Sequence, residues 1–188
     1  MYTNVYGVPE LASDLRVISA ETPDAWELVE QVRPLAEWVA RHPERWLLSN
    51  RYECDPEQGF GLNVLHREPD NSMAVCAVAW SPGGYSDPHD HHSWEVVATV
   101  IGEIRNICWS RFDEGAAPGR IGIRRGCDFM IRAGEAASFM PDEIHNLANE
   151  GNDMGLSLHI YGRAPDAVER LRFDPDSGRE EQFVRDGR

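Results

Sequence analysis

The sequence contains no lysine, and all 18 of its basic side chains are arginines. Schiff-base chemistry and the anchoring of pyridoxal phosphate both need a lysine amine, so this chain can perform neither. The formal net charge is −14 at pH 7. A nucleic-acid backbone or an anionic membrane surface would be repelled on average by this charge. We therefore expect neither as a partner, and an anionic substrate must be held by arginine, by backbone amides or by a metal.

The sequence also lacks a CxxC pair, because its four cysteines, Cys54, Cys76, Cys108 and Cys127, are scattered. A chain of 188 residues needs no disulfide framework, so we expect all four to be reduced. Cys76 and Cys108 lie in apolar runs, which predicts buried thiols. Runs of about 18 apolar residues and a secretion signal are both missing. These absences predict a soluble, cytoplasmic protein.

The length predicts a single domain over residues 1–188, and the order of apolar and turn-forming residues predicts that β-strands dominate it. Residues 22–48 carry apolar side chains at spacings of three and four, which predicts a helical region broken at Pro34. In residues 58–162, short apolar runs alternate with clusters of Gly, Pro, Asp and Asn. That pattern predicts a sandwich or barrel with the helices packed outside. The charged C-terminal extension, residues 163–188, should fray.

The chemically distinctive residues are concentrated in the segment SPGGYSDPHDHHSWEVVATVIGE. His89, His91 and Glu95 are separated by even numbers, so an unbroken strand would turn all three to one face. A partner strand would add His145 from across the barrel. Three neutral imidazoles suit iron, zinc, copper or nickel and are poor ligands for calcium or magnesium. The alternative, a solvated loop with incidental histidines, stays open, and within the HDHH run His92 is the histidine expected not to bind.

A second polar group occurs in the run MGLSLHIYG, where Ser157, His159 and Tyr161 alternate with Leu158 and Ile160. On a strand, the three polar side chains would share one face. Polar groups that face a barrel interior need partners, because each unpaired group costs about 1 to 3 kcal/mol. A hydrogen-bonded Ser-His-Tyr chain would satisfy them, as a functional group or as a structural network.

Two segments resemble the two sequence signatures of the cupin superfamily. The first signature is met at every spacing by Gly83, His89, His91, Glu95 and Gly102. The second is met at Gly134, His145 and Asn149. It departs in that Pro141 is shifted by one position and Glu143 replaces the usual glycine. The resemblance implies a cupin double-stranded β-helix, a jelly-roll barrel that holds one divalent metal ion.

The order PHDHxxW, PDxIH and SLHIYG resembles more narrowly the thiol dioxygenases, that is, the cysteine dioxygenase family and especially its bacterial 3-mercaptopropionate branch. The resemblance implies that iron(II) is held by His89, His91 and His145. It also implies a triad of Ser157, His159 and Tyr161 that orients the tyrosine hydroxyl. The implied reaction adds O2 to the sulfur of a small thiol carboxylate, of the 3-mercaptopropionate or cysteine type, and yields a sulfinate. The oligomeric state, monomer or homo-oligomer, stays open.

The same resemblance suggests which arginine binds the substrate carboxylate. In the mercaptopropionate branch it follows the triad tyrosine, and Arg170 is the best match, with Arg163 second. In the cysteine branch it comes from an early strand, where Arg51 is the candidate.

Glu95 departs from the thiol dioxygenase pattern, which has a crosslinking cysteine in animal-type enzymes and often a glycine in bacterial ones. No such crosslink can form here. Many other cupins supply a fourth, carboxylate ligand at this position, so Glu95 either ligates the metal or lies close behind the histidines, and the remaining motif favours the second position. Two alternatives therefore stay open. One is a metal-dependent cupin enzyme whose site has three histidines and a glutamate and whose substrate is not a thiol, and the other is a non-catalytic cupin that binds a small molecule.

Overall fold

The computed structural model describes residues 6–48, 53–112 and 122–184, in which two α-helices precede ten strands. The helices are α1 (Val8–Glu21) and α2 (Ala25–Ala40). The strands are β1 (Phe60–Arg67), β2 (Ala74–Trp80), β3 (Glu95–Ile101), β4 (Glu103–Phe112), β5 (Gly122–Arg132), β6 (Ala136–Phe139), β7 (Ile144–Ala148), β8 (Gly155–Tyr161), β9 (Arg170–Asp174) and β10 (Arg179–Phe183).

The two helices have capped N-termini and bury one apolar face each. The N–H of Gly7 donates to the Glu10 carboxylate at the start of α1, and Asp24 accepts from the N–H of Glu27 at the start of α2. The break expected at Pro34 is wrong, because this residue lies inside α2 on its exposed side. There water can bind the carbonyl that loses its hydrogen bond to the proline. Within the described ranges, neither helix is long and apolar enough to cross a membrane.

The strands form two main antiparallel sheets that enclose one core. The larger has the order β1-β2-β8-β3-β6 and the smaller the order β5-β4-β7. Between them lie apolar side chains from both sheets, namely Phe60, Val78, Trp80, Val97, Ile104, Ile131, Phe139 and Leu147. The outer face of the larger sheet packs against α1 and α2. Strand β2 is therefore buried on both faces, which explains its uninterrupted apolar sequence. The predicted double-stranded β-helix with helices outside is confirmed.

Residues 163–184 of the C-terminal extension are ordered, contrary to the sequence-based expectation that it frays, and residues 185–188 lie outside the described residues. Strands β9 and β10 pair as a hairpin, and β9 is bonded to the segment that carries the histidines. The N–H of Phe173 donates to the Pro88 carbonyl at 2.8 Å, and the N–H of Leu171 donates to the buried Asp90 carboxylate at 2.9 Å. These bonds hold the hairpin across one end of the barrel.

Cys108 and Cys127 form a disulfide between β4 and β5, so the expectation of four reduced cysteines is wrong for these two. Pairing between β4 and β5 shifts register between Ile107 and Trp109, and the irregularity brings the two Cα atoms to 5.0 Å. Cys108 is half-buried in this position, whereas Cys76 is fully buried as expected.

Candidate metal centre

Three histidines from two segments meet inside one end of the barrel. His89 and His145 exchange backbone hydrogen bonds, with N–H to carbonyl distances of 2.9 and 3.0 Å. This pairing turns both side chains to the same face. The potential ligand atoms of His89, His91 and His145 all lie within 4.8 Å of one another, and all three side chains are buried. Among the described residues, these three histidines form a group with the geometry to hold a metal ion.

The unbroken strand that was expected to carry these residues is absent from this stretch of the structure. His92 has a φ of 48°, and β3 begins only at Glu95. The side chains of His91 and Glu95 nevertheless meet, with His91 Nε2 2.9 Å from Glu95 Oε2. Their convergence depends on the bend at His92 and on the pairing of His89 with His145, rather than on strand periodicity alone.

Hydrogen bonds set two of the three imidazoles in the orientation that ligation needs. Nδ1 of His89 lies 2.7 Å from the Asp87 carbonyl, and Nδ1 of His145 lies 3.0 Å from the Asn106 side-chain oxygen. Both partners accept, so each Nδ1 carries the hydrogen and each Nε2 presents a lone pair. Asn106 is fully buried. The sequence did not identify it as a site residue, because it is a single polar residue on a predicted strand.

His91 is held differently, because its Nδ1 lies 2.9 Å from Nη1 of Arg170. A guanidinium only donates, so Nδ1 accepts and the ring hydrogen sits on Nε2. Nε2 of His91 can donate it to Nε2 of His145, 3.0 Å away. Ligation through Nε2 of His91 requires two changes. The ring hydrogen must move from Nε2 to Nδ1, and Nη1 of Arg170 must move away from Nδ1.

His89 and His91 are neutral at physiological pH, which is the form that binds a metal. Burial lowers the pKa of His91 to about 3, although the Glu95 carboxylate opposes the change. Burial, followed by the effect of His91, His145 and Arg170, holds the pKa of His89 well below its ordinary value. No proton therefore has to be removed from His89 at neutral pH before its Nε2 can bind an ion.

Glu95 completes the group of potential ligands. Its side chain is 1% exposed, and Oε2 lies 2.9 Å from His91 Nε2 and 3.4 Å from His145 Nε2. Oε2 nevertheless has no hydrogen-bond partner. Adjacent ligands of an octahedral ion with bonds of about 2.1 Å are roughly 3 Å apart. The distances from Oε2 to the two imidazole nitrogens are therefore compatible with ligation.

The carboxylate of Glu95 is ionised in this setting. Burial acts to raise its pKa, but the neighbouring rings of His91, His145 and His159 outweigh this effect and hold the pKa well below its ordinary value. This anionic oxygen, which has no hydrogen-bond partner, and the imidazoles of His89, His91 and His145 together form a donor set that suits a divalent transition metal.

The polar face of β8 reaches this group through His159. Ser157 Oγ lies 2.7 Å from His159 Nε2, and the Tyr161 hydroxyl lies 3.1 Å from His159 Nδ1. Two further contacts were not expected from the sequence. Nε1 of Trp80 donates to Ser157 Oγ at 2.8 Å, and Nδ1 of His159 lies 2.7 Å from Glu95 Oε1. Trp80 ends an apolar run, so only the pairing of β2 with β8 reveals its contact with Ser157.

Two cavities adjoin the histidines. The inner one has a volume of about 10 Å³, which is room for one water molecule or ion. Its lining includes His89, His91, His145, Glu95, His159 and Tyr161. The outer cavity, of about 890 Å³, shares His89 with the inner one and is bordered by Tyr85, Asp87, Arg172 and Phe183. A substrate would reach the ion from the outer cavity, past His89.

The candidate arginines differ in their positions. Arg170 is 1% exposed, and its Nε and Nη2 have no hydrogen-bond partner. It contacts Nδ1 of His91 and does not line the inner cavity. Arg163 is exposed beyond the end of β8, outside this buried group. Arg51 lies outside the described residues. Arg172, which sequence reasoning missed, borders the outer cavity and pairs with Glu181 at 2.7 Å.

No family model matches the chain. Among solved structures, it is 18% identical to an uncharacterized conserved protein with a double-stranded β-helix domain from Klebsiella pneumoniae, covering 68% of this chain and 90% of that one, with a TM-score of 0.49. Oxalate oxidase is 18% identical over 63% of this chain and 60% of its own, with a TM-score of 0.45. A Cupin_2 domain of an XRE family transcriptional regulator from Enterobacter cloacae is 16% identical over 55% and 96%, with a TM-score of 0.40.

The fold is a double-stranded β-helix. Its sheet order and the enclosed core carry this assignment. The chain spans about 60% of the length of oxalate oxidase.

Proposed function

We propose that this protein is an iron(II)-dependent thiol dioxygenase that acts on a small thiol carboxylate. The balanced reaction is RSH + O2 → RSO2⁻ + H⁺, in which both oxygen atoms of O2 become bonded to sulfur. The supporting observation is the juxtaposition of His89, His91 and His145 with the Ser157-His159-Tyr161 chain in one buried group. All six residues lie in the three motifs by which the sequence resembles thiol dioxygenases.

The three imidazoles would hold the ion, and the ion would supply a binding site for the thiolate and the redox chemistry toward O2. With the ionised Glu95 carboxylate beside the three imidazoles, an iron(II) site would keep a net charge of +1, which favours an anionic sulfur. Tyr161 borders the inner cavity, so its hydroxyl can donate a hydrogen bond to a substrate bound there. The low exposure of this cavity excludes bulk water from the reacting atoms.

Arg170 supports a carboxylate-bearing substrate. Its guanidinium is buried beside His91 and has two nitrogens without hydrogen-bond partners. A buried cation with unused donors is costly, and a carboxylate bound by two parallel hydrogen bonds would satisfy it. Reaching it requires the guanidinium to turn from His91, which is also the movement that ligation by His91 requires.

The position of Glu95 Oε2 favours a second candidate, a metal-dependent cupin enzyme in which Glu95 joins the three histidines as a ligand and the substrate is not a thiol. The test is to load the purified protein anaerobically with iron(II) and measure O2 uptake with 3-mercaptopropionate, cysteine, a thiol without a carboxylate, and 3-hydroxypropionate. We expect uptake with a thiol carboxylate, with one sulfinate formed per O2 consumed. Stoichiometric iron without uptake for any thiol would reject the thiol dioxygenase proposal.

An arginine pair refines this test. Arg170→Gln should raise KM for the thiol carboxylate by roughly 10- to 100-fold, because a charge-assisted, bidentate contact is lost. Arg124→Gln is the matched control, since Arg124 is exposed on β5. Equal KM values for both variants would show that another group binds the carboxylate.

A further inference from the structure

We propose that Trp80, Ser157 and His159 are positioning residues that hold the Glu95 carboxylate against the metal position. The polar face of β8 would then serve a metal ligand, and not only the Tyr161 hydroxyl. This inference rests on the metal site of the proposed function, but it does not depend on the substrate being a thiol.

The hydrogen bonds run in one direction along the chain. The indole N–H of Trp80 can only donate, so Ser157 Oγ accepts at 2.8 Å. The Ser157 hydroxyl keeps its own hydrogen, which it can donate to Nε2 of His159 at 2.7 Å. His159 then carries its ring hydrogen on Nδ1, where Glu95 Oε1 accepts at 2.7 Å. The Tyr161 oxygen is farther from the same Nδ1, at 3.1 Å, so the carboxylate is the nearer partner.

Burial and sheet pairing make this chain rigid. All four residues are at most 3% exposed, so water does not compete for their hydrogen bonds. They stand on three adjacent strands, with Val78 of β2 opposite Ser157, and Glu95 of β3 opposite Tyr161. A buried polar group that loses its partner costs about 1 to 3 kcal/mol, so each link restrains the next.

The two carboxylate oxygens of Glu95 therefore have different roles. Oε1 is occupied by His159, and Oε2 is left without a hydrogen-bond partner at 2.9 Å from His91 Nε2. Only Oε2 is therefore available to the ion, which gives a monodentate carboxylate. With three imidazoles it would leave an octahedral ion two positions, so a substrate would bind the ion through one atom if O2 is also to bind.

The test measures metal affinity in a double-mutant cycle. Cobalt(II) affinity is determined by competition with a chromogenic chelator. The proteins are the wild type, the single variants Ser157→Ala, His159→Gln and Glu95→Gln, and the two double variants that combine Ser157→Ala or His159→Gln with Glu95→Gln. Loss of a residue that orients a ligand lowers affinity by about 10- to 100-fold. We expect that loss for Ser157→Ala and His159→Gln in the wild-type background and less than about threefold in the Glu95→Gln background. Tyr161→Phe should stay within about twofold of wild type.

Thr99→Val controls for a general loss of packing. Thr99 is buried on the same strand as Glu95, and its hydroxyl donates to the Ile131 carbonyl, away from the chain. This variant should lose stability without losing cobalt affinity or changing the visible spectrum of the bound cobalt. Ser157→Ala should change that spectrum.

Three results would overturn the proposal. The first is a cobalt affinity that Glu95→Gln leaves unchanged. The second is a loss of cobalt affinity in Ser157→Ala that shrinks by less than about half, on a logarithmic scale, in the Glu95→Gln background. The third is a loss of cobalt affinity in Thr99→Val that equals the loss in Ser157→Ala. None of these measurements involves a thiol. If the protein oxidised no thiol but showed the expected cobalt affinities in the double-mutant cycle, the proposed function would be disproved and this inference would stand.

Discussion

His145 is the histidine whose contacts most directly fix a metal-ligating geometry. Its Nδ1 is 3.0 Å from the buried Asn106 oxygen, and its backbone exchanges two hydrogen bonds with His89. Its ring also packs against Phe139, with centroids 4.0 Å apart. These contacts leave Nε2 facing His91 without any adjustment of the His145 ring.

His145→Ala should therefore lower iron(II) affinity by at least about 100-fold, since it removes a ligand rather than a residue that supports one. The measurement is iron content after anaerobic loading and gel filtration. His66→Ala is the control, because His66 lies on β1 and pairs with Glu68 at 2.7 Å, outside the buried group. If His145→Ala retained full occupancy, the ion would bind elsewhere.

At the scale of elements, the C-terminal hairpin and the histidine segment are joined through Asp90. Its carboxylate accepts from the N–H of Leu171, and its own N–H donates to the Leu171 carbonyl at 3.1 Å. Phe183 on β10 then lies over the guanidinium of Arg170, 5.0 Å from ring centroid to Cζ. The hairpin thus covers the arginine that contacts His91.

Asp90→Ala should loosen this hairpin and lower the free energy of unfolding by about 1 to 3 kcal/mol, because the Leu171 N–H loses its acceptor. We expect faster hydrogen exchange at the amides of Leu171 and Phe173, measured by NMR or mass spectrometry. Asp90→Asn keeps an acceptor oxygen at the same place and should retain most of the protection. Equal exchange in Asp90→Ala and wild type would mean that the remaining backbone bonds suffice to hold β9.

At the scale of the whole molecule, the buried histidines make the stability of the metal-free protein depend on pH. Folding lowers the pKa of His91 to about 3, and it also lowers the pKa of His89. In the unfolded chain these side chains titrate near pH 6.5. Below that pH the unfolded state binds more protons than the folded state, so the free energy of unfolding falls as the pH falls.

We therefore expect the melting temperature of the metal-free protein to decline from about pH 6.5 downward. Glu95, whose pKa is also lowered, should contribute a further decline below about pH 4.5. Thermal melts in the presence of a chelator provide the measurement, since an ion bound only to the folded state would add its own pH dependence. His91→Asn should flatten the dependence of melting temperature on pH between about pH 4 and 6. An unchanged slope would show that burial of His91 does not cause the pH dependence.

Local patterns in the sequence were sufficient for the type of fold and for part of the site. The alternation of Ser157, His159 and Tyr161 with apolar residues correctly indicated one polar face on β8, because side-chain direction on a strand follows a period of two. Short apolar runs between turn-forming residues likewise indicated a sandwich or barrel of β-strands. Each of these features depends only on neighbouring residues.

Only the tertiary structure decided which groups meet. The contact of His159 with Glu95 spans 64 positions, that of Trp80 with Ser157 spans 77, and that of His91 with Arg170 spans 79. Such contacts depend on which strands pair and in which register, and a one-residue shift would turn every side chain to the other face. The same reason accounts for the Cys108–Cys127 disulfide and for the C-terminal hairpin, both of which depend on pairing with distant segments. The sequence by itself determined the polar and metal-binding side chains, and strand pairing determined that Glu95 stands between His159 and His91.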